Sequence, residues 1–227
     1  KYILIRQNPP FNMEYINSTL YLEKLISSVK IINNPIAIRN ISEKFYSTKF
    51  FKYMPPTVLT KDINKIKIFY KKYRKIVIKP IHGYAGKGIL FLNNTFKKKE
   101  ISKLLHKNGH AMVQKFLPDV KKGDKRVFII NGKVCGAIRR IPSNNSILSN
   151  ISQGGTAVKT TLNSKQNKIS SIIAKDLLKN KIYFAGIDFV SNYLIGDINV
   201  TSPTGLPQYK ELTGINLGEI FWDSLEN

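Results

Sequence analysis

The sequence predicts an α+β fold, and three observations carry that reading. Apolar runs with strand character are joined in hairpins at Asn131-Gly132 and at Asn192-Tyr193. Two further runs, IVIKP (76–80) and ILFL (89–92), bracket a glycine-rich loop, and amphipathic stretches with helical spacing alternate with the strands.

Taken in order, Tyr2 to Ile5 forms a short strand that ends at the Pro9-Pro10 turn. Met13 to Ser28 places Ile16, Leu20, Leu22 and Leu25 near helical spacing, and KIINNP (30–35) re-extends the chain. Asn40 or Ser42 caps a helix running through Phe50, which Pro55-Pro56 stops. Thr57 to Leu59 is strand-like, and Thr60 with Asp62 opens a helix bearing Ile63, Ile66, Phe69 and Tyr70 on one face. Strands follow at Ala111 to Phe116, Arg126 to Ile130 and Val134 to Ile141. Pro142 to Thr156 is rich in Asn, Ser and Gly and reads as a mobile loop. Ser164 to Asn180 is an amphipathic helix, Phe184 to Val190 and Leu194 to Val200 are paired strands, and Ile215 to Leu225 closes the chain as a helix.

Composition bounds the function. The 227 residues hold 42% apolar side chains, which excludes disorder, collagen and a coiled coil, and are enough for one large domain or a domain plus part of another. No apolar run approaches the roughly 18 residues a membrane span needs, and KYILIRQNPPF lacks the layout of a signal peptide. The single Cys135 cannot form an intramolecular disulfide and sits in VCGAI as a small buried thiol, so a cytoplasmic setting is expected. A net charge of +23 raises nucleic acid as a partner, yet 31 of the 37 cations are Lys and Ile and Asn are inflated alongside. Those three residue types share A/T-rich codons, so a solvated lysine-rich surface explains the charge better than phosphate recognition, which favours Arg. Neither nucleic acid nor a membrane is expected as a partner.

Three constellations carry chemistry. The loop Gly83-Tyr84-Ala85-Gly86-Lys87-Gly88 can cradle phosphate with converging backbone N–H groups, although it is neither a P-loop nor a dinucleotide fingerprint. Lys79, at the end of the apolar strand before it, needs an anion to offset its desolvation. Asp197 and Asn199 leave the same face of one strand, and Asp188 can join them across the hairpin; such hard oxygen donors suit Mg²⁺ carrying nucleotide phosphates. Arg126, after Asp124 and Lys125, and Arg140 at the far end of the hairpin can together clamp carboxylate or phosphate oxygens.

The segments RQNPPFNMEYI, SEKFYSTKF (42–50), IVIKPIHGYAGKGI, MVQKFLPDVKKGDKRV, RRIP, IDF and DINVTSPTG (197–205) occur in an order that resembles the bacterial glutathione synthetases of the ATP-grasp superfamily, from Arg6 to about Trp222. The resemblance implies two α+β lobes enclosing Mg·ATP, transfer of the γ-phosphoryl group to the cysteinyl carboxylate of γ-glutamylcysteine, and attack of glycine on the acyl phosphate. Mg²⁺ or Mn²⁺ is the implied metal, ATP, γ-glutamylcysteine and glycine the implied substrates, and a homo-oligomer the implied assembly. Position by position, Lys44 and Lys79 resemble the nucleotide-phosphate lysines and Gly83, Gly86 and Gly88 the phosphate lid. Gln114, Lys115, Phe116 and Leu117 match the strand whose backbone reads adenine, with Asp124 nearby. Arg126, Arg140 and Asn150 are implied at the substrate or transferred phosphate, Asp188, Asp197 and Asn199 at the metal, and Arg6, Ser202 and Thr204 in the dipeptide and glycine pocket.

The chain differs from the family pattern where Asp197 replaces a more usual Glu, where Ile147-Leu148-Ser149 replaces an Arg before Asn150, at Pro207-Gln208-Tyr209, and in the lid at His82 and Tyr84. The domain division expected from the resemblance is residues 1–38 as the end of an N-terminal α/β substrate domain and 39–227 as the ATP-grasp domain, split at 115/116 into a nucleotide lobe and a C-terminal lobe. A leading segment of that first domain is expected to be missing before Lys1, and with it part of the dipeptide site and of the dimer surface. The competing readings are another ATP-grasp carboxylate–amine ligase, an inactive nucleotide-binding remnant and a basic nucleic-acid-binding protein.

Overall fold

A computed structural model describes residues 1–84, 86–143 and 154–226. Its described residues form three sheets and eight α-helices.

The chain begins with a small parallel unit. β1 (Tyr2–Leu4) pairs with β2 (Lys30–Ile32) through Ile3↔Ile31, and α1 (Met13–Glu23) crosses between them with Asn12 capping the Tyr15 N–H. The helix stops short of Ser28, because Ile26, Ser27, Ser28 and Val29 are poor helix formers and the Ser28 hydroxyl donates to the Leu25 carbonyl instead. A helix absent from the sequence reading, α2 (Pro35–Asn40), follows at once; Asn34 accepts from the Ile36 and Ala37 N–H groups with Pro35 in the first turn. The single helix expected through Phe50 is two pieces, α3 (Glu43–Tyr46) and a 3₁₀ segment Ser47–Tyr53 kinked at Phe50.

The second sheet is antiparallel, ordered β3-β6-β4-β5 from β3 (Thr57–Thr60), β4 (Ile76–Pro80), β5 (Leu90–Leu92) and β6 (Ala111–Lys115). α4 (Ile63–Tyr73), capped by Asp62, and α5 (Lys98–Asn108) bury Ile66 and Ile101 against Ile76, Ile78, Leu92 and Val113. α5 was not foreseen: its start is a run of lysines opposing the helix dipole, and Lys97 provides no side-chain cap. Packing of Ile101 and Leu104 outweighs that local cost.

The third sheet is ordered β11-β10-β7-β8-β9 and is antiparallel throughout: β7 (Asp124–Ile130), β8 (Lys133–Ile141), β9 (Thr156–Lys159), β10 (Phe184–Val190) and β11 (Tyr193–Asn199). Alternation along β7 divides two cores. Val127 and Ile129 pack with Ile169 and Ile173 of α6 (Ser164–Lys179), whereas Phe128 and Ile130 pack with Tyr209 of α7 (Leu206–Thr213) and Phe221 of α8 (Leu217–Glu226). β9 occupies the end of the segment read as a loop; residues 144–153 of that segment, including Asn150, lie outside the described residues. The last hairpin turns at Ser191-Asn192, since Val190 pairs with Tyr193, one residue earlier than the sequence suggested. Cys135 is half-buried at the edge of the second of these cores rather than enclosed. No helix among the described residues is long and apolar enough to cross a membrane.

Candidate nucleotide and metal site

The ends of β4 and β6, the glycine loop, α3 and β11 surround a cavity of about 460 Å³. Strand geometry delivers Lys79 and Asp197 to it. Lys79, 7% exposed, ends the buried strand β4, donates to the Ile195 carbonyl at 2.8 Å and lies 3.5 Å from Asp197. Lys44 comes from α3, lies 3.3 Å from the other Asp197 oxygen and donates to the Gly83 carbonyl, so one ammonium ties lid to strand. Burial alone would raise the Asp197 carboxyl; Lys79 and Lys44 outweigh it and hold the group at about 2. Gly196, just before it, has φ +87 and a Cβ there would stand 2.7 Å from the Met112 sulfur, so only glycine fits.

A second charged group is dictated by register. Asp124 and Arg126 are two apart on β7 and share a face, Arg140 on β8 stands opposite Asp124, and Asp188 on β10 stands opposite Arg126. Arg140 Nε and Nη2 donate to Asp124 at 2.7 and 2.8 Å, Arg140 Nη2 lies 3.0 Å from Asp188, and Arg126 grips Asp188 through Nε and Nη2. All four are at most 5% exposed. Burial disfavours the charge on Asp188, but Arg126 and Arg140 hold its carboxyl below the usual range. Arg140 feels the same burial, outweighed by Asp188 and Asp124, and is held above its ordinary value. The two arginines therefore do not stand open as a clamp: each is engaged by carboxylates at the cavity wall.

Around the lid, Gly86 and Gly88 have φ +75 and +74, and a Cβ on Gly88 would meet the Pro80 ring at 3.2 Å. On the far side, Gln114 is buried and donates from Nε2 to the Thr57 hydroxyl at 3.0 Å, and the Phe116 ring packs on Phe91 with centroids 4.6 Å apart. The N–H groups of Lys115 and Phe116 donate to Pro56 and Lys75 carbonyls, each at 2.9 Å. Leu117 completes this wall.

Asn199 sits diagonally across from Asp188 and donates from Nδ2 to the Gly186 carbonyl at 3.3 Å and to Asp188 at 3.4 Å, which leaves its amide oxygen for a cation. The donor set Asp188, Asp197 and Asn199 is all oxygen, and Asp197 acts on Asp188 as a like charge across the site. Such a set fits a hard divalent cation. Among the described residues no group of three or more His, Cys, Asp or Glu side chains is placed to hold a metal, so this set depends on the Asn199 amide beside its two carboxylates.

Ser202 and Thr204 line the cavity, whereas Arg6 does not. Arg6 Nη2 donates to the Pro203 carbonyl at 2.9 Å and its guanidinium lies over the Phe184 ring. Glu43 was missed by the sequence reading, although it is the acidic residue beside Lys44. It lines the cavity, accepts from the Val200 N–H at 3.2 Å and the Thr201 hydroxyl at 3.1 Å, and burial raises its carboxyl.

A glycine loop, two buried lysines converging on Asp197 and neighbouring oxygen donors form a site of the kind an ATP-grasp ligase uses. Residues 43–214 match the family described as prokaryotic glutathione synthetase, ATP-grasp domain, and residues 1–39 match prokaryotic glutathione synthetase, N-terminal domain. The chain belongs to the prokaryotic glutathione synthetase family. It is 37% identical over 229 residues to a glutathione synthetase of Mesorhizobium japonicum, covering 99% of this chain and 72% of that one. To the Synechocystis glutathione synthetase it is 38% identical, over 96% of this chain and 69% of the relative. Among solved structures, D-cycloserine synthetase DcsG superposes with a TM-score of 0.69 at 13% identity, over 89% of this chain and 76% of that one. D-alanyl-alanine synthetase A from Vibrio cholerae gives 0.66 at 15% identity, over 100% and 77%. Those two likenesses show the shared fold.

Proposed function

We propose that the chain catalyses ATP-dependent ligation of γ-glutamylcysteine and glycine to glutathione, releasing ADP and phosphate. The observation that carries this reading is the convergence of Lys44 and Lys79 on Asp197 beneath a glycine lid, in a chain related to glutathione synthetases along nearly its whole length.

The proposed roles combine the family resemblance with the placement of these residues around the cavity. Leu117 and its neighbours Gln114, Lys115 and Phe116 form the adenine wall; the Lys115 and Phe116 N–H groups and the Leu117 carbonyl, which accepts from the Val120 N–H at 3.1 Å, are already engaged within the chain. Lys44, Lys79 and the lid glycines Gly83, Gly86 and Gly88 hold the phosphates, neutralising charge that grows on the transferred oxygens. Asp188, Asp197 and Asn199 hold the divalent metal, for which we propose Mg²⁺. When bound there, it would supply positive charge that offsets the charge of the phosphates. The substrate carboxylate oxygen attacks the γ-phosphorus and ADP leaves; the glycine amine then attacks the acyl carbon, and phosphate departs with its C–O bonding pair as the amine loses a proton. Asp124, Arg126 and Arg140 form the wall facing the transferred group, Ser202 and Thr204 face the substrate end, and Asn150, outside the described residues, belongs to the same reading. Residues 1–38 are assigned to the N-terminal domain and 39–227 to the ATP-grasp body, divided at 115/116; the two family matches meet near the first of these boundaries. The use of ATP argues for a cytoplasmic setting, and the same reading includes a homo-oligomer, which light scattering measures.

The test is ADP and glutathione release by the purified chain with Mg·ATP, γ-glutamylcysteine and glycine, each omitted in turn. Product with the full set alone establishes the reaction. ADP release supported by a different amine redirects the reading to another carboxylate–amine ligase, and no turnover with retained Mg·ATP binding rejects catalysis by this chain.

A further inference from the structure

β11 makes its last ladder pairing at Asn199↔Gly186, and residues 200–205 then run along the cavity without regular secondary structure to the start of α7. A segment that leaves a sheet must find new partners for its backbone. Here side chains from the first 43 residues supply them. Glu43 accepts from the Val200 N–H at 3.2 Å and from the Thr201 hydroxyl at 3.1 Å. Asn33 Nδ2 donates to the Val200 carbonyl at 2.8 Å, so both polar groups of the Val200 backbone are held by side chains distant in sequence. Arg6 takes the Pro203 carbonyl at 2.9 Å.

These three anchors are themselves fixed. Asn33, 4% exposed, also donates to the Phe184 carbonyl at 2.7 Å and accepts from the Tyr183 and Phe184 N–H groups at 2.8 Å, which uses both amide protons and both lone pairs. Arg6 rests over Phe184 at 5.4 Å. Glu43 opens α3, the helix that carries Lys44. We propose that Arg6, Asn33 and Glu43 form a three-point clasp that positions residues 199–204, and with them Asn199, Ser202 and Thr204, against the cavity. They are positioning residues: each acts through the backbone or side chain it holds. The chain's N-terminal segment thereby sets the geometry of a site built on its C-terminal lobe. The consequence for catalysis rests on the ligase reading; the clasp itself does not.

The experiment combines hydrogen exchange at the Val200 amide, steady-state kinetics and thermal unfolding on the full chain carrying Glu43→Ala, Glu43→Gln or Arg6→Met. Loss of one net hydrogen bond corresponds to roughly tenfold in a local equilibrium. Glu43→Ala is expected to speed Val200 exchange about tenfold and to raise the Mg²⁺ concentration for half-maximal rate and the glycine KM by about as much, with the ATP KM within about twofold. Glu43→Gln, whose amide oxygen can accept both bonds, restores exchange and kinetics to within about threefold of the parent. Arg6→Met keeps apolar contact with Phe184 and shifts the same parameters by less. Unchanged Val200 exchange in Glu43→Ala, or a Glu43→Gln that behaves like it, overturns the clasp. Exchange needs no turnover, so an inactive parent chain would count against the ligase reading while Val200 still decides the clasp.

Discussion

Asp197 is the residue on which the two lobes agree, and its neighbours predict its behaviour. Asp197→Ala removes the proposed metal ligand and the counter-charge of two lysines, so ligation should fall about 100- to 1,000-fold in steady-state assays, with a lowered unfolding midpoint but a cooperative transition retained. Global unfolding in both Asp197→Ala and Lys79→Ala would remove them from the site. The carboxyl, held at about 2 against roughly 3.9 in an unfolded chain, titrates below its unfolded counterpart. Its contribution to stability is therefore complete above about pH 4 and is lost as pH falls toward 2. Urea midpoints across that range should drop more steeply for the parent than for Asp197→Asn; parallel curves would mean that the lysines do not act on it. At this scale the sequence was informative: Lys79, Asp188 and Asp197 stood out because a charge on an apolar strand demands a partner, Asn199 because it shares a face with Asp197, and Lys44 only through the family resemblance. Glu43 did not, because a half-buried carboxylate whose partners are the Val200 N–H and the Thr201 hydroxyl leaves no pattern in its own neighbourhood.

Among the elements, the long ones with a strong period were read correctly, as α4 and α6 illustrate, whereas α2 was missed despite its Asn34 cap because six residues show no period. The other missed elements were stabilised from outside. α5 starts on lysines, β9 gains its identity from pairing with β8, and α7 starts at Gly205, which has φ +109 and supplies no side-chain cap. α7 also shows how tightly one element can constrain another, because a Cβ on Gly136 of β8 would stand 2.5 Å from the Tyr209 ring. Gly136→Ala is thus expected to cost about 1–3 kcal/mol in denaturant unfolding, with much of it recovered when Tyr209 is replaced by Leu. Additive losses in the double variant would show that the two residues are not in contact.

Across the whole molecule, the cavity draws walls from both large sheets, so nucleotide binding must favour their assembled arrangement. At about 100 times its Kd, Mg·ATP should stabilise the folded chain by about 2.7 kcal/mol, raising the midpoint by roughly 5–10 °C for a chain of this size, and Asp197→Ala should abolish most of that shift. Equal shifts in parent and variant would place the nucleotide elsewhere. The overall fold class was visible in the alternation of hairpins and helices, while the meeting of the lobes was not, since it depends on contacts such as Lys79 with the Ile195 carbonyl, far apart in the chain. The same scale gives new meaning to the buried square of Asp124, Arg126, Asp188 and Arg140. This chain carries 31 lysines and only 6 arginines. Arg140 reaches two carboxylates at once with a rigid fork, which a single ammonium cannot do. Two of the six arginines of a lysine-rich chain thus stand where flat, two-handed geometry locks side chains from three strands into one wall.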